Sequence, residues 1–198
     1  RSTLFPYTTL FRSRIGSLLQ PEQIVKYGEL TLRENQIAYA EPSFFRLFDF
    51  ELLKGDKKTC LSMPGQVVIT ERIASKYFKD EDPIGKIFIF TGAYDKISCE
   101  VTGVMKEMPS NSHIHYSFLI SYKSLPKYMQ EYWYKHEAYT YVLLDSPERK
   151  AEIEREFPVM AEKYKTDEAL KNKTWGVSLI PLADIHLTPQ VGYEAETK

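Results

Sequence analysis

The sequence predicts an α+β fold, on three observations. Short β-branched runs of the kind that form buried strands recur along the chain, at 66–69, 87–90, 100–105 and 139–144. Apolar residues at helical spacing stand over 71–78 and from Ser146 to Tyr164. Turn residues such as Asp82-Pro83-Ile84-Gly85 punctuate the two kinds of element.

In chain order, Pro21 to Leu30 is expected to form a short helix with Ile24, Val25 and Tyr27 as its apolar content, and Gln36 to Tyr39 a strand. Glu41-Pro42-Ser43 breaks that strand. Phe44, Phe45, Leu47, Phe48 and Phe50 then make a dense aromatic cluster, read as core because aromatic side chains contribute large buried areas. Gln66 to Ile69 reads as a buried strand. Thr70 is placed to cap the next helix by accepting from a first-turn N–H. Glu71 sits at the positive helix end, and Lys76 and Lys79 at the negative end. Ile73, Ala74, Tyr77 and Phe78 share one face. Pro83 disfavours a helical residue before it and Gly85 permits an unusual backbone angle, so the helix stops there.

Ile87 to Phe90 and Glu100 to Met105 follow as strands joined by the turn-rich TGAYDK. Residues 113–121 read as a strand entering a tyrosine-rich loop, and Tyr139 to Leu144 as another strand. Ser146-Pro147-Glu148 is a helix start: a capping Ser, Pro at the first helical position, then an acid. Ile153, Phe157, Met160 or Ala161, and Tyr164 continue the stripe, with Pro158 expected to kink or split it. Val177 to Leu182 is the last expected strand, so 138–182 forms a strand–helix–strand unit.

Composition narrows the function classes. The chain has 198 residues, enough for one domain or two small ones. A hydrophobic content of 43% and a charged content of 27% are ordinary for a globular protein. The net charge of −1, with cations and anions interleaved, gives no pull towards nucleic acid. No run of about 18 apolar residues is present, and no basic-then-apolar leader stands at the N-terminus. Residues 1–13 are unusual: STLFPY is echoed by TTLFRS, and RSTLFPYTTLFRS looks like translated sequencing-adapter read-through. They are read as an artefact outside the domain rather than as a hairpin or linker.

Candidate chemistry is sparse. His113 and His115 would share a face of a strand and could ligate a metal, but no third ligand stands at diagnostic spacing, so polar strand-edge residues are the preferred reading. Asp80, Glu81 and Asp82 lack the calcium-loop pattern and read as a solvated helix end. Gly85-Lys86 is not a phosphate loop, because position 80 is Asp and position 87 is Ile. No GxSxG elbow occurs, and none of the four histidines lies in a catalytic motif. No catalytic residue, cofactor site or metal site is therefore assigned. Cys60 and Cys99 could bridge in an oxidising compartment, with two buried thiols the preferred reading. The segment 129–141 is rich in tyrosine and tryptophan, which suit amphipathic contacts. Tyr128, Tyr132, Trp133 and Tyr134 are the partner-contact candidates, with a loop that anchors Trp133 in the core the preferred reading of the segment.

Several blocks stand in a telling order: AEPSFFRLFDFELLKGD (40–56), VVITERIASKYF (67–78), DPIGK (82–86), VTGVMKEMPSNSH (101–113) and PLADIHLTP (181–189). With these residues the chain resembles the periplasmic core domain of MacB/FtsX-type ABC transporter permeases. The resemblance implies a discontinuous β/α, porter-like base made of 14–40 and 112–198, its strand before Pro21 missing or replaced, with a mostly-β, sabre-like subdomain of 41–111 carrying a short helix inserted into it. It implies a domain facing the periplasm from the inner membrane, with one membrane helix before it and three after, so that the chain is a fragment. It implies no chemistry in the domain, ATP hydrolysis on a separate ATPase subunit, a second permease copy as dimer partner, and contact with a periplasmic adaptor or other periplasmic protein. Export, lipoprotein extraction and partner regulation are the kinds of work such domains serve. The alternative from another class is a free-standing extracellular glycan- or peptide-binding module.

Overall fold

The computed structural model describes residues 11–16, 22–92, 96–131, 138–164 and 176–185. The chain divides into two compact units, Arg12–Val142 and Arg1–Phe11 with Leu143–Lys198. Mixed strands with few helices confirm the α+β class.

The larger unit is built on one mixed sheet. Its strands are β1 (Phe11–Gly16), β2 (Gln23–Tyr27), β3 (Leu30–Glu34), β4 (Ile37–Ala40), β5 (Leu52–Lys54), β6 (Gln66–Thr70), β7 (Ile87–Thr91), β8 (Lys96–Met105), β9 (Phe118–Ser121) and β10 (Tyr139–Leu143). They are ordered β10-β1-β4-β9-β6-β8-β7-β2-β3, with β5 paired to β8. Three short helices accompany them: α1 (Phe44–Leu47), α2 (Glu71–Phe78) and α3 (Lys127–Glu131). β9 sits at the centre, parallel to β4 and antiparallel to β6.

Alternation along the strands makes a core on each side of the sheet. On one side α2 lays Ile73, Tyr77 and Phe78 against Val25, Val67, Ile69, Phe88, Phe90, Val101 and Phe118. Phe88 is the hub of this layer, with ring centroids 4.9 Å from Tyr77, 5.3 Å from Phe78 and 5.8 Å from Phe118. On the other side Phe44 and Phe45 of α1 join Ile15, Leu61, Val68, Met105, Ile114 and Leu119, so the 44–50 aromatic cluster is core as expected. Glu34 ties the end of β3 to α2: its carboxylate is 2.6 Å from Lys76 Nζ and accepts the Tyr77 hydroxyl at 2.8 Å.

A single inserted residue lets β8 serve both cores. Between Val67 and Val68 the β6–β8 register slips, so Val67 faces Val101 but Val68 faces Gly103. Thr102 is the extra residue of this bulge, and Cys99, Val101 and Val104 thereby all reach the first core. Its hydroxyl donates to the Cys60 carbonyl at 2.6 Å. Gly55 passes close by with φ of +95°, where an added Cβ would lie 2.4 Å from the Thr102 carbonyl oxygen.

Several expected elements differ in the structure. Residues 23–27 are a strand, not the helix expected over 21–30. Gly28 at φ of +55° turns the chain back into β3, and Gln23 and Val25 are buried at a period of two, which only an extended chain satisfies. The strand before Pro21 is present rather than missing: β1 pairs with β4, and Ser13 and Ile15 are buried, so residues 11–13 belong to the sheet. Residues 1–10 lie outside the described residues. Residues 113–117 approach β9 without joining it as strand.

Thr70 occupies the N-cap of α2 in extended conformation, yet its side chain makes no capping bond and its hydroxyl is buried without a partner. The helix ends at Lys79, φ +54°, before Pro83 is reached; Gly85 supplies the expected positive φ, +80°, in the following turn.

In the second unit α4 (Arg149–Tyr164) runs through Pro158 as one helix, so that of the expected kink or split the split does not occur. It begins at Arg149, two residues after the expected first helical position Pro147, and a turn with the Arg149 N–H on the Ser146 carbonyl and the Lys150 N–H on the Pro147 carbonyl leads into it. Val177 to Leu182 is not a strand. Residues 176–181 carry no regular structure, and the Leu179 N–H donates to the Glu154 carboxylate at 2.7 Å, a side-chain partner in place of a ladder. The strand–helix–strand unit over 138–182 is therefore a strand and a helix followed by a tethered segment.

Candidate functional site

The side chains singled out for partner contact lie in and after α3. Tyr128 is in that helix and 56% exposed; Tyr132, Trp133 and Tyr134 lie outside the described residues. The short helix is held from within and from the sheet. The Met129 and Gln130 N–H groups donate to the Pro126 carbonyl, and the Gln130 side chain donates to the Leu125 carbonyl at 2.7 Å. Met129 packs against the first core, which leaves Tyr128 pointing outward from a fixed backbone.

The tether to the sheet is Arg14. Its Nη1 donates to the Gln130 carbonyl at 2.8 Å, and its guanidinium carbon lies 4.3 Å from the centre of the Tyr122 ring. The rest of the same guanidinium pairs with Glu41 at the end of β4. Arg12 contributes a second, longer contact to that carboxylate at 3.8 Å, and burial pulls its own pKa downward. One half-buried arginine thus joins β1, β4, the 3-10 turn Tyr122–Ser124 and α3. The sequence hid this cluster, because Arg14 and Glu41 are 27 positions apart and Arg14 borders the segment set aside as artefact.

The other flagged residues are engaged in packing or in surface ion pairs. His113 Nε2 lies 2.9 Å from the Tyr141 hydroxyl, beside Phe48 and Tyr141, at the margin of the second core. His115 is half-buried in the same non-strand segment; His136 and His186 lie outside the described residues. In the acidic cluster Glu81 pairs with Lys86 at 2.7 Å and Asp82 with Lys54 at 3.0 Å. Lys86 holds the Glu81 carboxyl below its ordinary range, and Lys54 does the same for Asp82. Among the described residues no three His, Cys, Asp or Glu side chains gather in a way that could hold a metal ion.

Cys60 and Cys99 are unpaired and buried, one in each core. Burial pushes their thiols up to about 11 and about 12, so both are neutral and unreactive near pH 7. Burial likewise raises the Tyr141 and Tyr77 hydroxyls, the latter with help from the Glu34 carboxylate. What this arrangement offers is contact: an outward tyrosine on a braced helix, carried by a stiff sheet.

The profile of a family described as MacB-like periplasmic core domain matches residues 9–158. No curated protein sequence matches. A domain of a protein described as a permease, from Porphyromonas gingivalis, superposes with a TM-score of 0.64 at 19% identity, over 88% of this chain and 81% of the other. The periplasmic region of MacB from Actinobacillus actinomycetemcomitans gives 0.56 at 16% identity, over 80% and 69%. The extracellular domain of the ABC-type transporter YknZ from Gram-positive bacteria gives 0.51 at 17% identity, over 79% and 78%. At such identities the likeness is one of fold. Among the described residues no helix is long and apolar enough to cross a membrane.

Proposed function

The chain belongs to the MacB-like periplasmic core domain family, and on that premise we propose that it is the extracytoplasmic domain of an ABC transporter permease subunit. In this reading it has no chemistry of its own. It converts movement of membrane helices, driven by ATP hydrolysis on a separate ATPase subunit, into movement outside the inner membrane. A second permease copy is its dimer partner, and a periplasmic adaptor or other periplasmic protein is its working contact. Export, lipoprotein extraction and regulation of a partner are the forms that work takes.

The observation that carries the reading is the family match across 9–158, which spans the whole of the larger unit. The physical character of the domain supports it. Transmission needs parts that move without deforming, and a sheet with a packed core on each side of its centre resists deformation. Work is coupled only where a partner binds the two positions of the domain with different affinity. Tyr128, Tyr132, Trp133 and Tyr134 are our candidates for such a contact.

We also propose the division into a base of 14–40 and 112–198 with 41–111 inserted. In its favour, β10, β1, β4 and β9 come from the base stretches and are sheet neighbours, while β5, β6, β7 and β8 come from the insert; β2 and β3 come from the base stretch but lie beyond β7.

Recovering the coding sequence on both sides of this stretch tests the proposal. Membrane-helix segments flanking the domain and an ATPase gene alongside are expected, together with co-purification of that ATPase with the complete permease. A stop directly after Lys198 with no membrane helix upstream would overturn it and favour the binding module.

A further inference from the structure

Across β3, β2, β7 and β8 the strand register lays out one face on the side of the sheet away from α2. Val25, Phe88, Phe90 and Cys99 point into the core beneath α2, so their alternate neighbours point the other way. Arg33, Ile24, Thr91 and Lys96 form one cross-strand row. Lys26, Ile89 and Ser98 form the next, and Ile87 with Glu100 a third. The second core does not extend here, since none of its buried members comes from β2, β3 or β7. Ile24 is 44% and Ile87 56% exposed, and Ile89 between them is half-buried.

We propose that this face is a docking surface for an acidic, aliphatic-striped segment of a partner protein. The isoleucines supply an apolar centre on a pleated support. Around them stand Lys26 and Lys96, both exposed and meeting no carboxylate among the described residues. Arg33 has Glu22 at 3.1 Å, but both side chains are more than half exposed, so the pair holds that charge only weakly. Glu100 is the one carboxylate within the rows. Cations flanking an aliphatic centre are matched by carboxylates flanking an aliphatic stripe: the apolar contact gives affinity and the charges give orientation.

Two other occupants fit less well. A second copy meeting this face across a two-fold axis would set its excess of cations against itself. An anionic bilayer is held by clusters of about four to eight Lys or Arg, and three cations opposed by Glu100 fall short. The proposal goes beyond the transport reading and rests only on this face.

The test is isoleucine-methyl NMR on the full 198-residue chain. The probes are an amphipathic leucine–glutamate peptide, its leucine–lysine counterpart, and vesicles of phosphatidylcholine with and without phosphatidylglycerol. The expected result is that the Ile24, Ile87 and Ile89 methyls shift with the acidic peptide alone. Binding should weaken by about tenfold or more in a K26E/K96E variant. Ile87→Thr, which keeps a β-branched strand residue, should weaken it with the methyl spectrum of the cores unchanged. Equal response to the basic peptide, response to vesicles only, or no response overturns the proposal. Concentration-dependent shifts without peptide would overturn it in favour of a second copy.

Discussion

Arg14 and Glu41 are joined at four points. Arg14 Nε and Nη2 reach Glu41 Oε1 at 2.9 and 2.7 Å, and the Arg14 N–H reaches Oε2 at 3.0 Å. The Glu41 N–H returns a bond to the Arg14 carbonyl at 3.1 Å. The carboxylate side chain is 15% exposed and the guanidinium 23%, so neither charge is fully solvated. Removing Glu41 leaves a half-buried guanidinium without its carboxylate, and removing Arg14 leaves that carboxylate only the longer Arg12 contact.

Arg14→Ala is therefore expected to destabilise the larger unit by about 2 kcal/mol, below the figure for a fully buried pair because solvent still reaches both groups. It also releases the Gln130 carbonyl, so amide exchange in α3 should quicken more than in α2. Urea unfolding and hydrogen exchange measure the two effects. A stability change within error would mean that the cluster holds nothing.

Gly55 and Gly28 both adopt positive φ, but only Gly55 is crowded. Gly55→Ala should cost more than about 2 kcal/mol, since the new Cβ would have to displace the Thr102 carbonyl on top of the φ penalty. Gly28→Ala, with nothing within 4 Å of the added Cβ, should cost about 1 kcal/mol, the φ penalty alone. Equal costs in thermal unfolding would show that the bulge yields freely.

Thr70 offers an inversion of the usual capping result. A threonine that caps loses about 1 kcal/mol on replacement. Here the hydroxyl is buried and unbonded, so Thr70→Val, which keeps the shape, should leave stability unchanged or raise it by up to about 1 kcal/mol. A loss of similar size in denaturant titration would restore the capping role.

The buried thiols give a pH dependence of known sign. Their folded pKa values, about 11 and about 12, lie above the ordinary 9.0. The stabilisation they lend is fully present below pH 9 and is lost as pH rises through 11 and 12. Replacing both with alanine should flatten part of the alkaline fall in stability. At pH 8, labelling by a thiol reagent should be slow in the native protein and fast in urea. Fast native labelling would contradict their burial.

The legible parts of this fold are the local ones. β6, α2 and the turn around Gly85 were readable because apolar spacing, a positive-φ glycine and end charges all act within a few residues. β2 was not, since Ile24, Val25 and Tyr27 do not decide between periods. What decides is pairing with β7, more than 60 residues away, whose Phe90 stands opposite Val25. Val177 to Leu182 shows the converse: with no partner strand among the described residues, β-branched content makes no ladder. Of the contact candidates, Tyr128 could be named from aromatic density. Arg14, Glu41 and the face around Ile24 could not, because each is assembled by register rather than by neighbours in sequence.

The central position of β9 carries a consequence for how the protein is made. Residues 37–40 of β4 and 66–70 of β6 are synthesised long before Phe118–Ser121, which must slot between them. Until that segment leaves the ribosome, two apolar strands wait with unsatisfied edges, and a chain dominated by such distant pairings folds slowly. Nascent chains cut before residue 118 should therefore be captured by chaperones and digested by protease, and protection should arrive in one step once residue 121 has emerged.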